Sequence, residues 1–141
     1  MRLFLVTLTA LFCLAGEAVA QNKHVISATE LAVDPAKFDG DFVKIRGMQC
    51  STPGNGGDTL CVKLLPGRLL RVSGGSIGSR MPQETLEYLV ERCTGTANIR
   101  SSACKFDIEI TVETYRSGMV GDAISNEPLT QIFSHTIDLY R

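Results

Sequence analysis

The chain has no tryptophan, and only three tyrosines and six phenylalanines among 141 residues. Proteins that stack bases or sugars need such rings, so a broad aromatic platform is poorly supplied. Histidine is equally scarce, at His24 and His135 alone. No C-x-x-C pair is present, which removes the usual dithiol redox motif. Charge of neither sign dominates: 14 basic against 15 acidic residues give a net charge of −1. That balance makes no demand for nucleic acid or an anionic membrane. Beyond residue 20 there is no apolar run near the roughly 20 residues that a membrane-spanning helix requires.

What is present begins with an export signal. Arg2 supplies a positive start, residues 3–14 are apolar apart from Thr7 and Thr9, and Ala18-Val19-Ala20 forms an A-x-A cleavage site. Polar Gln21-Asn22-Lys23 follows. This is the secretory pattern, and the apolar run is too short for a comfortable membrane anchor. Cys13 lies in that run behind the bulky Phe12, which argues against a lipid-modified cysteine. Residues 1–20 are therefore expected to be removed, leaving one domain, residues 21–141, in the periplasm or outside the cell.

Export sets the reading of the cysteines. Cys13 would leave with the signal, and Cys50, Cys61, Cys93 and Cys104 would remain. An even number in a small secreted domain suggests disulfides, with three possible pairings. Cys50–Cys61 and Cys93–Cys104 are favoured because each pair brackets a short loop. A bridge over a loop of that size contributes roughly 3 kcal/mol in the chain-entropy model. A zinc site is the rival, but ten residues separate the members of each pair, far from the two to four usual in structural zinc motifs.

Periodicity orders the domain. Ser27-Ala28-Thr29-Glu30 is a capping box, flanked by Ile26 and Leu31 as a hydrophobic staple, so a short helix starts there. Pro35 and Gly40 bracket its end, and a turn at residues 35–38 is expected to pack Phe38 inward. Residues 42–50 read as a strand with Val43 and Ile45 on one face and Lys44 and Arg46 on the other. Residues 51–58, rich in glycine, form a turn. A second strand follows with Leu60, Val62 and Leu64 on one face. A third runs over residues 68–73 and ends at Gly74-Gly75. Residues 82–93 form an amphipathic helix with Leu86, Leu89, Val90 and Cys93 inward. The clearest strand, residues 104–116, sets Cys104, Phe106, Ile108, Ile110 and Val112 against Lys105, Asp107, Glu109, Thr111 and Glu113. After a loop at residues 117–128, the last strand, residues 129–140, places Phe133, His135, Ile137 and Leu139 on one face.

A short helix followed by β-β-β-α-β-β is the element order of a five-stranded OB-like Greek-key barrel, a mainly β fold. The stretch Leu31 to Gly47, LAVDPAKFDGDFVKIRG, with its short helix, xPxxFxG turn and alternating strand, resembles small exported bacterial proteins of the OB (oligonucleotide/oligosaccharide-binding-like) fold. The resemblance implies the barrel. It carries across no activity, cofactor or residue role.

Charge is unevenly distributed. Residues 42–80 hold Lys44, Arg46, Lys63, Arg68, Arg71 and Arg80 against Asp58 alone. In an OB barrel the first strand pairs with the fourth, so Lys44 and Arg46 are expected to meet Asp107, Glu109 and Glu113. Cross-strand pairs of that kind contribute roughly 0.2–1 kcal/mol. Lys63, Arg68 and Arg71 remain as candidate ligand-binding residues, with Arg80 as a possible fourth, on or after the strands where OB folds take ligands. The bland alternative is a solvated polar face.

Catalytic constellations are missing from the sequence. The loop Pro53-Gly54-Asn55-Gly56-Gly57 lacks the Lys-Ser/Thr and helix of a phosphate-binding loop. His135 is expected as a core residue of the last strand and His24 as part of a mobile terminus. Glu109 and Glu113 sit on a wet face with nothing to raise a carboxyl pKa as glycoside chemistry requires. The sequence thus favours a non-enzymatic binding or interaction module of the cell envelope, without metal or cofactor. Its partner would be a protein, a small anion or an oligosaccharide. Single-stranded nucleic acid is the second reading, disfavoured by export and sparse aromatics, and a hydrolase with an unrecognised site is the third.

Overall fold

The computed structural model describes residues 24–53, 58–114 and 129–141. The expected signal peptide, the tip of the glycine-rich loop and most of the loop before the last strand lie outside the described residues. In chain order the elements are β1 (His24–Ile26), α1 (Ala28–Val33), β2 (Phe42–Ser51), β3 (Thr59–Leu65), β4 (Arg68–Ile77), α2 (Gln83–Arg92), β5 (Lys105–Thr111) and β6 (Leu129–Tyr140).

Local chemistry explains the helix starts. Ser27 Oγ accepts the Glu30 amide at 3.1 Å, and the Glu30 carboxylate accepts from the Ser27 amide at 2.9 Å. Both halves of the capping box are formed, and Ile26 and Leu31 are buried beside it. Pro35–Phe38 forms a 3-10 turn and buries Phe38. Pro82 stands at the N-cap position of α2 without a side-chain capping bond, its carbonyl accepting from the Thr85 and Leu86 amides, and Gly95, at φ 90°, takes the left-handed backbone that turns the chain after it.

The sheet order is β1-β2-β3-β4-β6-β5, and β2 also pairs with β5. Strands β2 to β6 therefore close into a five-stranded barrel. β4 and β6 run parallel, while the β2–β3, β3–β4, β5–β6 and β2–β5 pairs are antiparallel. This is the OB-like topology, with α2 inserted between the third and fourth barrel strands. The barrel interior holds Val43, Ile45, Met48, Leu70, Val72, Phe106, Ile108, Ile110, Ile137 and Leu139. Cys104, Phe106, Ile108, Ile110 and Val112 are all buried, as their alternation requires. Both expected disulfides form: Cys50–Cys61 joins residues directly opposite on β2 and β3, and Cys93–Cys104 ties the end of α2 to the start of β5.

Several expectations need correction. His24 belongs to a short strand, β1, parallel to β2, with Ile26 opposite Ile45. β4 does not stop at Gly74-Gly75 but runs through them to Ile77. The reason is a close approach: a Cβ on Gly74 would stand 2.7 Å from Ile137 Cβ. Bare backbone lets β4 and β6 stay paired where the barrel bends. The inward face of β6 also changes along the strand, where its register with the β5 chain slips by one between the Ile110–Ile137 pair and the Glu113–Phe133 bridge. Ile132 and Ile137 both enter the core although an odd number of positions separates them. His135 is therefore expelled to the surface, and Phe133 is only half-buried.

On β3, Cys61 and Leu65 face the main core, while Leu60 and Val62 join a smaller outer cluster with Leu69, Ile99 and Leu129. Leu64 is 66% exposed. On α2 the buried stripe is Thr85, Leu89 and Cys93, and Val90 is 53% exposed. Tyr88 supports that stripe edge-on against Phe106, with ring centres 6.2 Å apart.

Gly74→Ala should lower stability by about 1–3 kcal/mol, the usual overpacking penalty, read as a shifted urea midpoint. The capping box makes a pH prediction. The Ser27 amide and hydroxyl hold the Glu30 carboxyl below its ordinary value. A depressed folded pKa adds stability that is present above the unfolded value and lost as pH falls through the folded one. The advantage of the native chain over Glu30→Gln in thermal unfolding should therefore shrink and vanish on acidification. A constant difference down to strongly acidic pH would contradict it.

Candidate functional site

Strand register decides what the basic residues can do together. Lys63 is opposite Leu70, and Leu65 opposite Arg68, so Lys63 and Arg68 lie on the core side of the β3–β4 hairpin. Arg71 is opposite Val62, on the outer side. The three candidates do not share one face.

Each has a distinct environment. Arg68 Nη1 donates to the Ala32 carbonyl at 2.7 Å, one of the last carbonyls of α1. Thr130 Oγ1 donates to the same oxygen at 3.1 Å. This holds α1 over one end of the barrel and suits a cation to a helix C-terminus. Arg71 lies between Val62 and Gln131, and its Nε is buried with no hydrogen-bond partner among the described residues. Lys63 reaches between β2 and β3, where its Nζ donates to the Arg46 carbonyl at 2.8 Å.

Arg80 serves the fold. Its Nε lies 3.3 Å from Asp138 Oδ2, its amide donates to Asp138 Oδ1 at 3.0 Å, and its guanidinium stacks 4.4 Å above Phe42. Lys44 also finds its expected acids, 3.4 Å from Asp107 and in register with Glu109. Arg46 has no ion-pair partner among the described residues and is exposed.

The difference between Lys44 and Arg46 comes from a bulge. The β2–β5 register shifts between Ile45 and Met48. Gly47 sits there at φ 65°, a backbone conformation that costs other residues roughly 1–2 kcal/mol. Its amide donates to Asp107 Oδ1 at 3.1 Å, while Lys44 takes Oδ2. Asp107 is thus engaged on both oxygens. Two further ammonium groups crowd the same spot. From the position a Gly47 Cβ would occupy, Lys63 Nζ is 3.5 Å away and Lys105 Nζ 3.6 Å. The Lys63 and Lys105 ammonium groups therefore converge on the bulge, and the Arg46 side chain lines a cleft together with Lys63. Nothing in the sequence pattern marks Lys105 or Arg46 as a ligand contact. Only the bulge puts them beside Lys63.

Clefts open on both sides of this cluster. One, of about 350 Å³, is lined by Val25, Ile26, Ala28, Leu65, Arg46 and Lys63, with Ser27 and Thr29. The other, of about 360 Å³, is lined by Lys44, Gly47, Lys105, Phe106, Asp107, Tyr140 and Arg141.

The acidic residues are also rearranged. Glu109 is not on a wet face: it is 3% exposed, opposite Lys44 on β2 and Asp138 on β6. It accepts from Tyr140 Oη at 3.1 Å. Asp138 is 2% exposed and held by Arg80. Burial, then the charge of Asp138, raises the Tyr140 hydroxyl pKa. Glu109 and Asp138 are neighbouring carboxylates, both buried. Glu113 pairs with His135 at 3.4 Å, and that imidazole is 81% exposed. Among the described residues no three His, Cys, Asp or Glu side chains converge on a metal position, and no helix is long and apolar enough to cross a membrane.

No family model and no curated protein matches the chain. Among solved structures it is similar to a Leishmania major Friedlin chain described as an aspartyl-tRNA synthetase, with TM-score 0.40 and 12% identity. The match covers 89% of this chain and 22% of that one.

Gly47→Ala tests the geometry of the bulge. Only Lys105 Cε, at 2.8 Å, stands where the new methyl would go, and that end of a lysine can swing aside. The variant should lose about 1–2 kcal/mol from the left-handed backbone alone. Gly67→Ala, at φ 70° with nothing nearby, should lose the same in urea unfolding. A clearly larger loss at Gly47 would mean that Lys105 is fixed in place.

Proposed function

We propose that this chain is a non-catalytic binding module of the cell envelope, carried by its signal peptide to a periplasmic or extracellular compartment, and that it captures an anionic ligand. The observation that supports this is the cation cluster at the β2 bulge. Lys63 and Lys105 converge there on the Gly47 bulge, Arg46 shares a cleft with Lys63, and the adjacent Asp107 is already engaged by the Gly47 amide and Lys44. Like charges held together raise the local potential and favour an incoming anion. The buried disulfides suit an oxidising compartment. Of the candidates read from sequence, Lys63 is retained as the central contact. Arg68 and Arg71 point elsewhere, and this reading assigns them no ligand role.

Single-stranded nucleic acid is less well supported. The outer side of β3 and β4 presents Leu60, Val62, Leu64, Leu69 and Arg71, none of them aromatic. Ile99 from the 3-10 turn Thr96–Arg100 packs into the same cluster. Base stacking would lack its platform there.

The combined variant Arg46→Glu, Lys63→Glu, Lys105→Glu should lose pyrophosphate binding by at least tenfold in low-salt calorimetry, with little change in melting temperature. Arg71→Glu, on the other face, should bind as the native chain does. Added salt should weaken native binding through screening. Equal binding by the triple variant would sink the proposal.

A further inference from the structure

We infer that the ligand is a small amphiphilic anion, a free single alkyl chain with a phosphate or carboxylate head, seated in the cleft between the β1–α1 corner and β3. The inference rests on the anion-binding reading and assigns that site its ligand class. The cleft combines two chemistries. Its lining brings the cations Arg46 and Lys63 together with apolar Val25, Ile26, Ala28 and Leu65, beside Ser27 and Thr29. No acidic side chain is among its described lining residues. Glu30, nearby in sequence, is turned back onto Ser27 by the capping box.

The two cations are able to hold an anion. Lys63 Nζ uses one N–H on the Arg46 carbonyl, which leaves two of its three donors. Arg46 contributes a guanidinium with no ion-pair partner among the described residues, suited to a two-point grip on a planar carboxylate or a phosphate. The apolar lining asks for something apolar. Ile26 and Leu65 are edge members of the core, and Val25 is 57% exposed on the open side of β1. An anion alone would leave that apolar surface wet. A purely apolar ligand would leave both cations unmatched.

Size narrows the class further. About 350 Å³ is near the lower end of small-molecule pockets, which run roughly 300–1,000 Å³. That suits one short chain. The companion cleft across the bulge does not offer the same match, because Asp107 lines it together with Lys44 and Lys105.

Octyl phosphate, inorganic phosphate and octyl glucoside, each titrated calorimetrically below any micelle-forming concentration, separate the contributions. Octyl phosphate should bind at least tenfold more tightly than either of the others. From hexyl to octyl phosphate, affinity should rise about fourfold per methylene, the ratio corresponding to about 0.8 kcal/mol per buried CH₂. Lys63→Gln should weaken octyl phosphate and inorganic phosphate together. Val25→Ser, at an exposed position that should leave folding intact, should weaken octyl phosphate alone. Two results overturn the inference while leaving anion binding standing. One is inorganic phosphate binding as tightly as octyl phosphate. The other is a chain-length series that is flat. Octyl glucoside matching octyl phosphate would overturn it as a plain apolar contact. Failure of every anion, pyrophosphate included, would overturn both this inference and the reading beneath it.

Discussion

β2 closes the barrel, and the rest of the structure depends on how it does so. One edge of β2 pairs with β5 from Phe42 to Gln49. Its other edge meets β1 over Val43 to Ile45 and then β3 over Gln49 to Ser51. A flat, regular strand cannot serve neighbours that diverge in this way, because closure requires tilt and curvature. The bulge between Ile45 and Met48, with Gly47 in the left-handed region, supplies the bend. Asp107 fixes it by accepting from the Gly47 amide.

That backbone device organises the charges. Before the bulge, Lys44 stays in register with β5 and is neutralised by Asp107. After Ile45 the register slips, and Arg46 loses the acid that regular alternation would have given it. The gap where β2 and β3 part admits the Lys63 side chain, and the slip leaves Lys105 beside it. A cation surplus arises at one point of a chain whose net charge is only −1. On the other side of β5 the balance is reversed. Glu109 and Asp138 face each other across β5 and β6 and are managed by Tyr140 and Arg80.

Much of the fold was legible because it rests on local rules. The Ser27–Glu30 box, the alternation of Cys104 to Val112 and the two short-range disulfide spacings each carry their meaning within about a dozen residues. The element order then leaves few topologies open. The misreadings share a different cause. Gly74 and Gly75 resemble a strand end, yet glycine also serves where two strands approach too closely for a Cβ. His135 shares the parity of Ile137, but the register slip between β5 and β6 puts it outside. Val90 fits the apolar repeat of α2, but the helix meets the barrel through a narrow stripe centred on Leu89.

In the sequence, local signals point to the element order of the barrel, favour Cys50–Cys61 and Cys93–Cys104 among three pairings, and mark the helix starts. Each follows from short-range periodicity, capping or spacing. Only the tertiary structure decided which basic residues stand together. Lys63, Arg68 and Arg71 are neighbours in sequence, yet register sends Arg71 to one face, ties Arg68 to α1 and turns Lys63 toward Arg46 and Lys105. Side-chain direction alternates with every residue, and a single bulge resets it. The grouping of charges at the candidate site is therefore a property of strand register, which composition does not encode.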